Sequence, residues 1–254
     1  LHSPRTKIRQ ALGSIMHKKP IGPFDKLRDR LISTIQLNNY SDSPHHQITR
    51  VSITNDIMID KEKIAYHIRE IIKALGDDPN REGLLETPDR VARMYEEMFR
   101  GIGYTNAEIA EKYAKTFTED DMCTTKSGNY VVVAGIPIFS HCEHHMALMY
   151  NMKVSVIYRP VDKVIGLSKI ARIAEMVSHR LQLQERIGTD IAEIMQLATG
   201  SNDVGVVVEG EHSCMTARGI KKPGAVTRSC VFKGIFETDP LARKEALLLF
   251  GETE

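Results

Sequence analysis

The spacing of hydrophobic residues is that of helices in the first part of the chain. Between Asp60 and Gly76, isoleucines recur every three or four positions, which predicts an amphipathic helix that ends at the glycine. A second helix is predicted from Thr87 and Pro88, because Thr favours the N-cap position and Pro is tolerated in the first helical turn. The stretch 106–117 predicts a third helix.

After residue 129 the hydrophobic pattern alternates between strands and helices. The pattern predicts two strands, two helices, two more strands and a closing helix, over 130–139, 152–158, 168–181, 184–198, 204–208, 226–236 and 242–250. The first of these strands is apolar on both faces, which predicts burial on both sides. Paired strands around paired helices, in the order ββααββ, predict an α+β fold with an antiparallel sheet.

Composition narrows the class of protein. The 254 residues include 34 Lys and Arg against 33 Asp and Glu, and this balance predicts a protein that binds neither nucleic acid nor a membrane surface. The longest apolar runs are far shorter than the roughly 20 residues that span a bilayer. Four cysteines are too few for a disulfide framework in a chain of this length, so a reducing, cytoplasmic location is predicted.

Residues 1–58 differ from the rest of the chain. The first 50 residues hold nine Lys and Arg, three acids and four prolines, without sustained periodicity. We interpret this segment as a mobile basic arm; the remnant of an organelle-targeting peptide and a regulatory tail that binds a partner protein are the alternatives. The remainder is predicted to divide into a helical region, 59–120, and a catalytic domain, 121–254.

Two separated stretches carry residues that commonly bind metals. Cys142 and His145 have a C-x-x-H spacing, with which a thiolate and an imidazole can reach one ion, and Cys214 offers a second thiolate. Such mixed nitrogen and sulfur ligands favour zinc. Three protein ligands leave a fourth position for water, as in catalytic zinc sites, and His144 and His212 would remain to carry protons.

Two other interpretations of these residues stay open at this point. His144 could act as a fourth protein ligand and close a structural zinc site that performs no chemistry. The same cysteines and histidines could also pack in the core without a metal. The number of protein ligands separates a catalytic site from a structural one, because zinc acidifies a bound water only where a position is left for it.

Basic and acidic residues near the two central helices suggest a nucleotide. Ser168 is predicted to cap a helix whose first turn attracts anions, and Lys169 and Arg172 share one face of that helix. Arg218 could bring a guanidinium to the same phosphates. Glu185 could accept two hydrogen bonds from the N–H edge that guanine has and adenine lacks. For all of these residues, solvated surface charge is the simpler alternative.

The order and spacing of the motifs resemble those of the GTP cyclohydrolase I family. The motifs are Cys-Glu-His-His at 142–145, Gly-Leu-Ser-Lys-Ile-x-Arg at 166–172, Gln-x-Gln-Glu-Arg at 182–186, His-x-Cys-Met-x-x-Arg-Gly at 212–219 and Glu-Thr-Pro-x-Arg at 86–90. The resemblance covers roughly residues 60–250. It implies a tunnelling fold of ββααββ units preceded by helices, and a toroidal homodecamer with active sites between subunits. The implied reaction hydrolyses the guanine imidazole ring of GTP, releases formate and yields 7,8-dihydroneopterin triphosphate, from which folate and tetrahydrobiopterin synthesis both begin.

The resemblance also implies a role for each residue of the motifs. Cys142, His145 and Cys214 would hold zinc, and His212, helped by His144, would move protons. The substrate would be bound by Glu185 and the main chain of Gln184 at the guanine, by Ser168 at the ribose or polyphosphate, and by Lys169, Arg172, Arg218 and a neighbouring subunit's copy of Arg90 at the triphosphate.

Overall fold

The computed structural model describes residues 59–118 and 129–251, all of which lie in the unit Asn55–Glu254. The basic arm predicted for residues 1–58 lies outside the described residues, as does the predicted boundary between the helical region and the catalytic domain at residue 120. The helices are α1 (Lys61–Ala74), α2 (Thr87–Met98), α3 (Asn106–Tyr113), α4 (Leu167–Ser178), α5 (Gln184–Thr199), α6 (Ser213–Thr216), α7 (Ile235–Thr238) and α8 (Pro240–Leu249), with a 3-10 turn at Glu82–Leu84.

The strands form a large sheet and a small one. They are β1 (Thr116–Phe117), β2 (Val131–Cys142), β3 (Leu148–Tyr158), β4 (Val164–Ile165), β5 (Leu181–Gln182), β6 (Val204–His212) and β7 (Thr227–Phe232). The large sheet has the strand order β5-β2-β3-β6-β7. Adjacent strands are antiparallel, except that β5 runs parallel to β2. This arrangement confirms the predicted α+β class with a mainly antiparallel sheet.

Helices α4 and α5 pack against the large sheet and bury its inner face. Ile170, Ile173 and Ile191 on the helices are fully buried, as the helical spacing predicts. The prediction that the first strand is buried on both sides is wrong, because Phe139 on β2 leaves 60% of its surface exposed. On the other face of the sheet, α7 and α8 pack near Val132 at the start of β2, and residues farther along β2 alternate between buried and exposed.

Several predicted boundaries move by a few residues. The third helix ends at Tyr113 instead of continuing to residue 117, because Thr116 pairs with Ile165 in the small sheet. The strand predicted over 226–236 ends at Phe232, and Gly234, with φ +62°, turns the chain into α7. Within 59–118 and 129–251, every helix is too short or too polar to cross a membrane.

Two of the predicted helix caps are also wrong. Ser168 is the second residue of α4, whose N-cap is Gly166, and Thr87 is the first residue of α2, whose N-cap is Glu86. The helix α4 begins early because the Gly166 N–H donates to the Lys115 carbonyl, which holds the backbone at the end of β4. Neither Ser168 nor Thr87 caps its helix through the side chain.

The strands that approach the predicted metal residues are longer than their hydrophobic patterns indicate. β2 continues to Cys142, β3 already begins at Leu148, and β6 extends to His212. The strand pairing in these extensions contains register shifts. The shift between β3 and β6 includes Asn151 at φ +50°, a left-handed conformation that Asn tolerates better than most residues. These extensions bring the metal-binding residue types to one edge of the sheet.

Candidate metal centre

Strand pairing brings the two distant metal-binding stretches together. Met149 on β3 pairs with Ser140 on one side and with His212 on the other. Cys142 ends β2, and Cys214 lies in the short helix α6 that follows β6. Because β3 lies between β2 and β6 in the sheet, the two cysteines meet although 71 residues separate them in the chain.

The three donor atoms lie close to the spacing of a tetrahedral zinc site. The donors of Cys142, His145 and Cys214 all lie within 4.8 Å of one another, and the Cys142 Sγ–His145 Nδ1 distance is 3.9 Å. Zinc lies about 2.3 Å from sulfur and about 2.1 Å from nitrogen, so tetrahedral donors are roughly 3.5–3.8 Å apart. The donor set and its spacing therefore fit zinc, with a small inward movement.

The environment of the two thiols also favours a cation. Burial raises the pKa of the Cys214 thiol, and the neighbouring Cys142 thiol raises it further. Cys142 itself is buried, whereas His145 is exposed at the surface. The Cys214 thiol therefore resists ionisation, and a bound divalent cation would reverse that preference by stabilising the thiolate.

His144 does not join these donors. Its ring centroid lies 6.3 Å from that of His145, and its side chain is exposed. Among the residues that the structure describes, the donor group thus contains three members. This count matches the metal site with a position left for water and not the closed four-ligand site.

His212 lies beside this centre in a fixed hydrogen-bond network. Its Nε2 is 2.7 Å from Oε1 of Gln184, and the Gln184 Nε2 donates to the carbonyls of Val208 and Thr227, both at 2.9 Å. Burial lowers the pKa of His212, while the negative charge of Glu185 acts in the opposite direction. The motif resemblance implies a role only for the Gln184 main chain. The position of this Gln at a helix start beside Glu185 is the sequence signal that points to its side chain.

A second set of contacts holds the turn that carries Cys142 and His145. The Cys142 N–H donates to the Ala147 carbonyl, and the Glu143 N–H donates to the Gln182 carbonyl. Arg186 forms two hydrogen bonds with the Glu143 carboxylate, at 2.6 and 3.3 Å, and lowers the pKa of that carboxyl. The contact joins the metal-binding turn to α5, a link that the motifs did not reveal.

The residues predicted to bind phosphate do not lie together as the three metal donors do. Burial raises the pKa of the Cys214 thiol, and the charge of Arg218 weakly opposes that rise, so this guanidinium lies near the metal centre. Arg172 instead lines a separate cleft of about 450 Å³, together with Arg100 and Lys112. Arg90 pairs with Glu86 on the exposed surface of α2.

The predicted residues at the start of α4 are accessible. Ser168 is exposed, and Lys169 is half-buried in the first turn of the helix. Their helix start follows β4 directly, so both residues have a defined backbone position. Neither belongs to the group of three metal donors.

Comparison with known proteins identifies the class of this chain as an enzyme. The model of the GTP cyclohydrolase I family matches residues 64–250. GTP cyclohydrolase 1 of Clostridium beijerinckii is 63% identical over 191 residues, which cover 75% of this chain and 97% of the relative. GTP cyclohydrolase 1 of Clostridium acetobutylicum is 61% identical over 181 residues, which cover 71% of this chain and 92% of the relative. The chain belongs to the GTP cyclohydrolase I family, which confirms the resemblance of its motifs.

Proposed function

We propose that this enzyme hydrolyses the imidazole ring of the guanine in GTP with the help of zinc. Formate leaves, and rearrangement of the ribose gives 7,8-dihydroneopterin triphosphate. Family membership supports the reaction on GTP. The convergence of Cys142, His145 and Cys214 is the observation that supports zinc as the cofactor.

Cys142, His145 and Cys214 would hold the zinc ion and leave its fourth position to water. A zinc ion held by these residues would lower the pKa of water to about 7, the chemistry that hydrolysis at neutral pH requires. His212 donates a proton to the ring nitrogen that departs when the C8–N bond breaks. His144, on the same turn as His145, assists the proton transfers of the second hydrolysis that frees formate.

Glu185 would select guanine. Its carboxylate accepts two hydrogen bonds from the N–H edge of the base, and the Gln184 main chain lies beside that edge. The negative charge of Glu185 acts on His212, so the two side chains are near each other, and this proximity supports the proposal. A site built around such a polar pair can reject a mismatched base by about 10⁴–10⁵.

The triphosphate would be bound by residues from more than one subunit. Ser168 contacts the ribose or polyphosphate, Lys169, Arg172 and Arg218 bind phosphate oxygens, and Arg90 reaches them from a neighbouring copy. The exposure of Arg90 and Arg172 in the single chain supports this division. We therefore propose a toroidal homodecamer of tunnelling-fold subunits, in which the helical region 59–120 supplies Arg90 and the domain 121–254 supplies the catalytic residues.

The test is an assay of the purified full chain with its zinc content measured. GTP is expected to yield formate and a pterin that fluoresces after oxidation, whereas ATP yields neither. X-ray absorption is expected to show two sulfur ligands, one imidazole and one light atom around zinc. Zinc-loaded, assembled protein that releases neither product from GTP would overturn the proposed function.

A further inference from the structure

The side chain of Gln184 carries an inference beyond guanine binding. We propose that Gln184 is a positioning residue that holds neutral His212 in a single tautomer, with the proton on Nε2 and the lone pair on Nδ1. The tautomer follows from hydrogen bonds within the chain. Only its consequence for catalysis rests on the proposed function.

The orientation of the Gln184 amide is determined by two carbonyl groups. Gln184 begins α5, leaves only 2% of its surface exposed, and places Nε2 2.9 Å from the oxygens of Val208 and Thr227. Carbonyl oxygens only accept hydrogen bonds, so the amide NH₂ must face them. A flipped amide would direct its own oxygen at two acceptors, which the geometry excludes.

This orientation determines which nitrogen of His212 carries the proton. The Gln184 Oε1 lies 2.7 Å from His212 Nε2, and an amide oxygen can only accept. His212 Nε2 must therefore be the donor. In the neutral ring, the other nitrogen, Nδ1, then bears the lone pair.

The carbonyls that orient Gln184 belong to the backbone of the sheet. Val208 lies in β6 and Thr227 in β7, and the two strands pair through Gly210 and Thr227. His212 ends the same strand β6. The imidazole is consequently held against a hydrogen-bonded ladder, which limits rotation of the ring and exchange between tautomers.

The tautomer assigns the proton transfer to one atom. In the proposed reaction, Nδ1 takes up a proton and gives it to the departing ring nitrogen, while the Nε2–H bond to Gln184 stays intact. Because Gln184 is neutral, it orients the ring without adding a negative charge beside Glu185. Gln184 therefore acts through His212 and does not itself exchange protons.

The first test is spectroscopic and uses the zinc-loaded full chain. Magic-angle-spinning NMR of protein labelled with ¹⁵N-histidine, at a pH where His212 is neutral, is expected to show Nε2 protonated and Nδ1 unprotonated. A His212→Gln variant assigns the signals by their loss. A wild-type spectrum with the proton on Nδ1, or with both tautomers populated, would overturn the proposal.

The second test removes the acceptor and compares the result with a matched change on the same helix. Gln184→Met is expected to populate both tautomers and to lower kcat by about 10–100-fold, as loss of an orienting partner does, with zinc content and the KM for GTP nearly unchanged. Gln196→Met is the control, because Gln196 also lies on α5 but donates to the Asn202 carbonyl. An unchanged tautomer in Gln184→Met would contradict the positioning role.

Rescue by a conservative variant separates positioning from general packing. In Gln184→Glu the carboxyl must be protonated to donate to the carbonyl of Val208 or Thr227, and its other oxygen then accepts from His212. At a pH where this buried carboxyl is neutral, the Nε2-protonated tautomer is expected to return in this variant. If Gln184→Glu has the mixed tautomers of Gln184→Met, the acceptor at Oε1 is not what holds the ring, and the proposal fails. Failure of the proposed function is distinguishable, since it would abolish formate release by the wild type while leaving the NMR result intact.

Discussion

The metal donors and the cationic residues of the proposed site differ in how far a single chain assembles them. Cys142 and Cys214 adjoin the ends of β2 and β6, which are held side by side by β3. Arg90 and Arg172, in contrast, are exposed on helices, and the cleft that Arg172 lines includes none of the three metal donors. Backbone pairing inside one chain thus brings the three candidate metal donors together, whereas Arg90 and Arg172 remain separate from them.

Burial explains why the two groups differ. Thiols can be buried without charge until a cation arrives, so the fold can enclose Cys142 and part of Cys214. Guanidinium groups stay charged and are expensive to bury without a partner. A site that collects several of them around a triphosphate is therefore most easily formed at a surface, where a second subunit and the substrate complete it.

The largest effect is expected from loss of one metal ligand. Cys142→Ser should remove zinc and lower activity by more than roughly a hundredfold, because even partners that only support metal ligands are worth about 10–100-fold. Metal analysis and formate release measure the two effects. Cys230→Ser is the matched control, since Cys230 lies exposed on β7 outside the donor group. Full activity in zinc-free Cys142→Ser would show that the metal centre is not catalytic.

The next largest effect is expected at Arg90. Its substitution tests whether this phosphate-binding residue is supplied by another subunit. Arg90→Ala should raise the KM for GTP by about 10–100-fold, the worth of a hydrogen bond to a charged group. Arg81→Ala is the control, because Arg81 is also exposed but pairs with Asp77. Assemblies mixed from Arg90→Ala and Cys142→Ser chains should regain part of the activity. No recovery in verified mixed assemblies would place Arg90 and the metal in the same subunit.

The pH dependence of zinc binding is a smaller effect that probes the buried thiols. The pKa of Cys214 is raised, so the thiol keeps its proton at neutral pH and zinc must displace it. The apparent affinity should therefore rise with pH, by about tenfold per pH unit for each proton displaced. Chelator competition on the metal-free protein measures this slope. An affinity independent of pH would mean that the Cys214 thiol is already ionised before zinc binds.

The smallest effect is expected at the contact between the metal-binding turn and α5. Arg186→Leu removes both hydrogen bonds to Glu143, but this pair is largely exposed, and such pairs contribute little. We expect zinc affinity to fall by less than about tenfold. Arg228→Leu is the control, because Arg228 contacts Glu209 on the sheet. A loss as large as that of Cys142→Ser would show that the turn depends on Arg186.

The buried helix faces could be predicted from the sequence, but the helix caps and the contacts of Gln184 could not. Helical spacing correctly predicted the buried faces of α4 and α5, because isoleucines at every third or fourth position can only share one side. The caps assigned to Ser168 and Thr87 are wrong, since both residues already lie inside their helices, after the N-cap residues Gly166 and Glu86. The Gln184 side chain was missed because its partners lie on strands distant in the sequence.

The sequence by itself determined the α+β class, the family and the residue types able to bind zinc, because these depend on periodicity and on motifs of a few residues. Only the tertiary structure decided that three donors converge without His144, that Gln184 orients His212, and that Glu143 meets Arg186. The physical reason is that these contacts depend on strand register and bulges, and register is set by pairing between segments far apart in the chain.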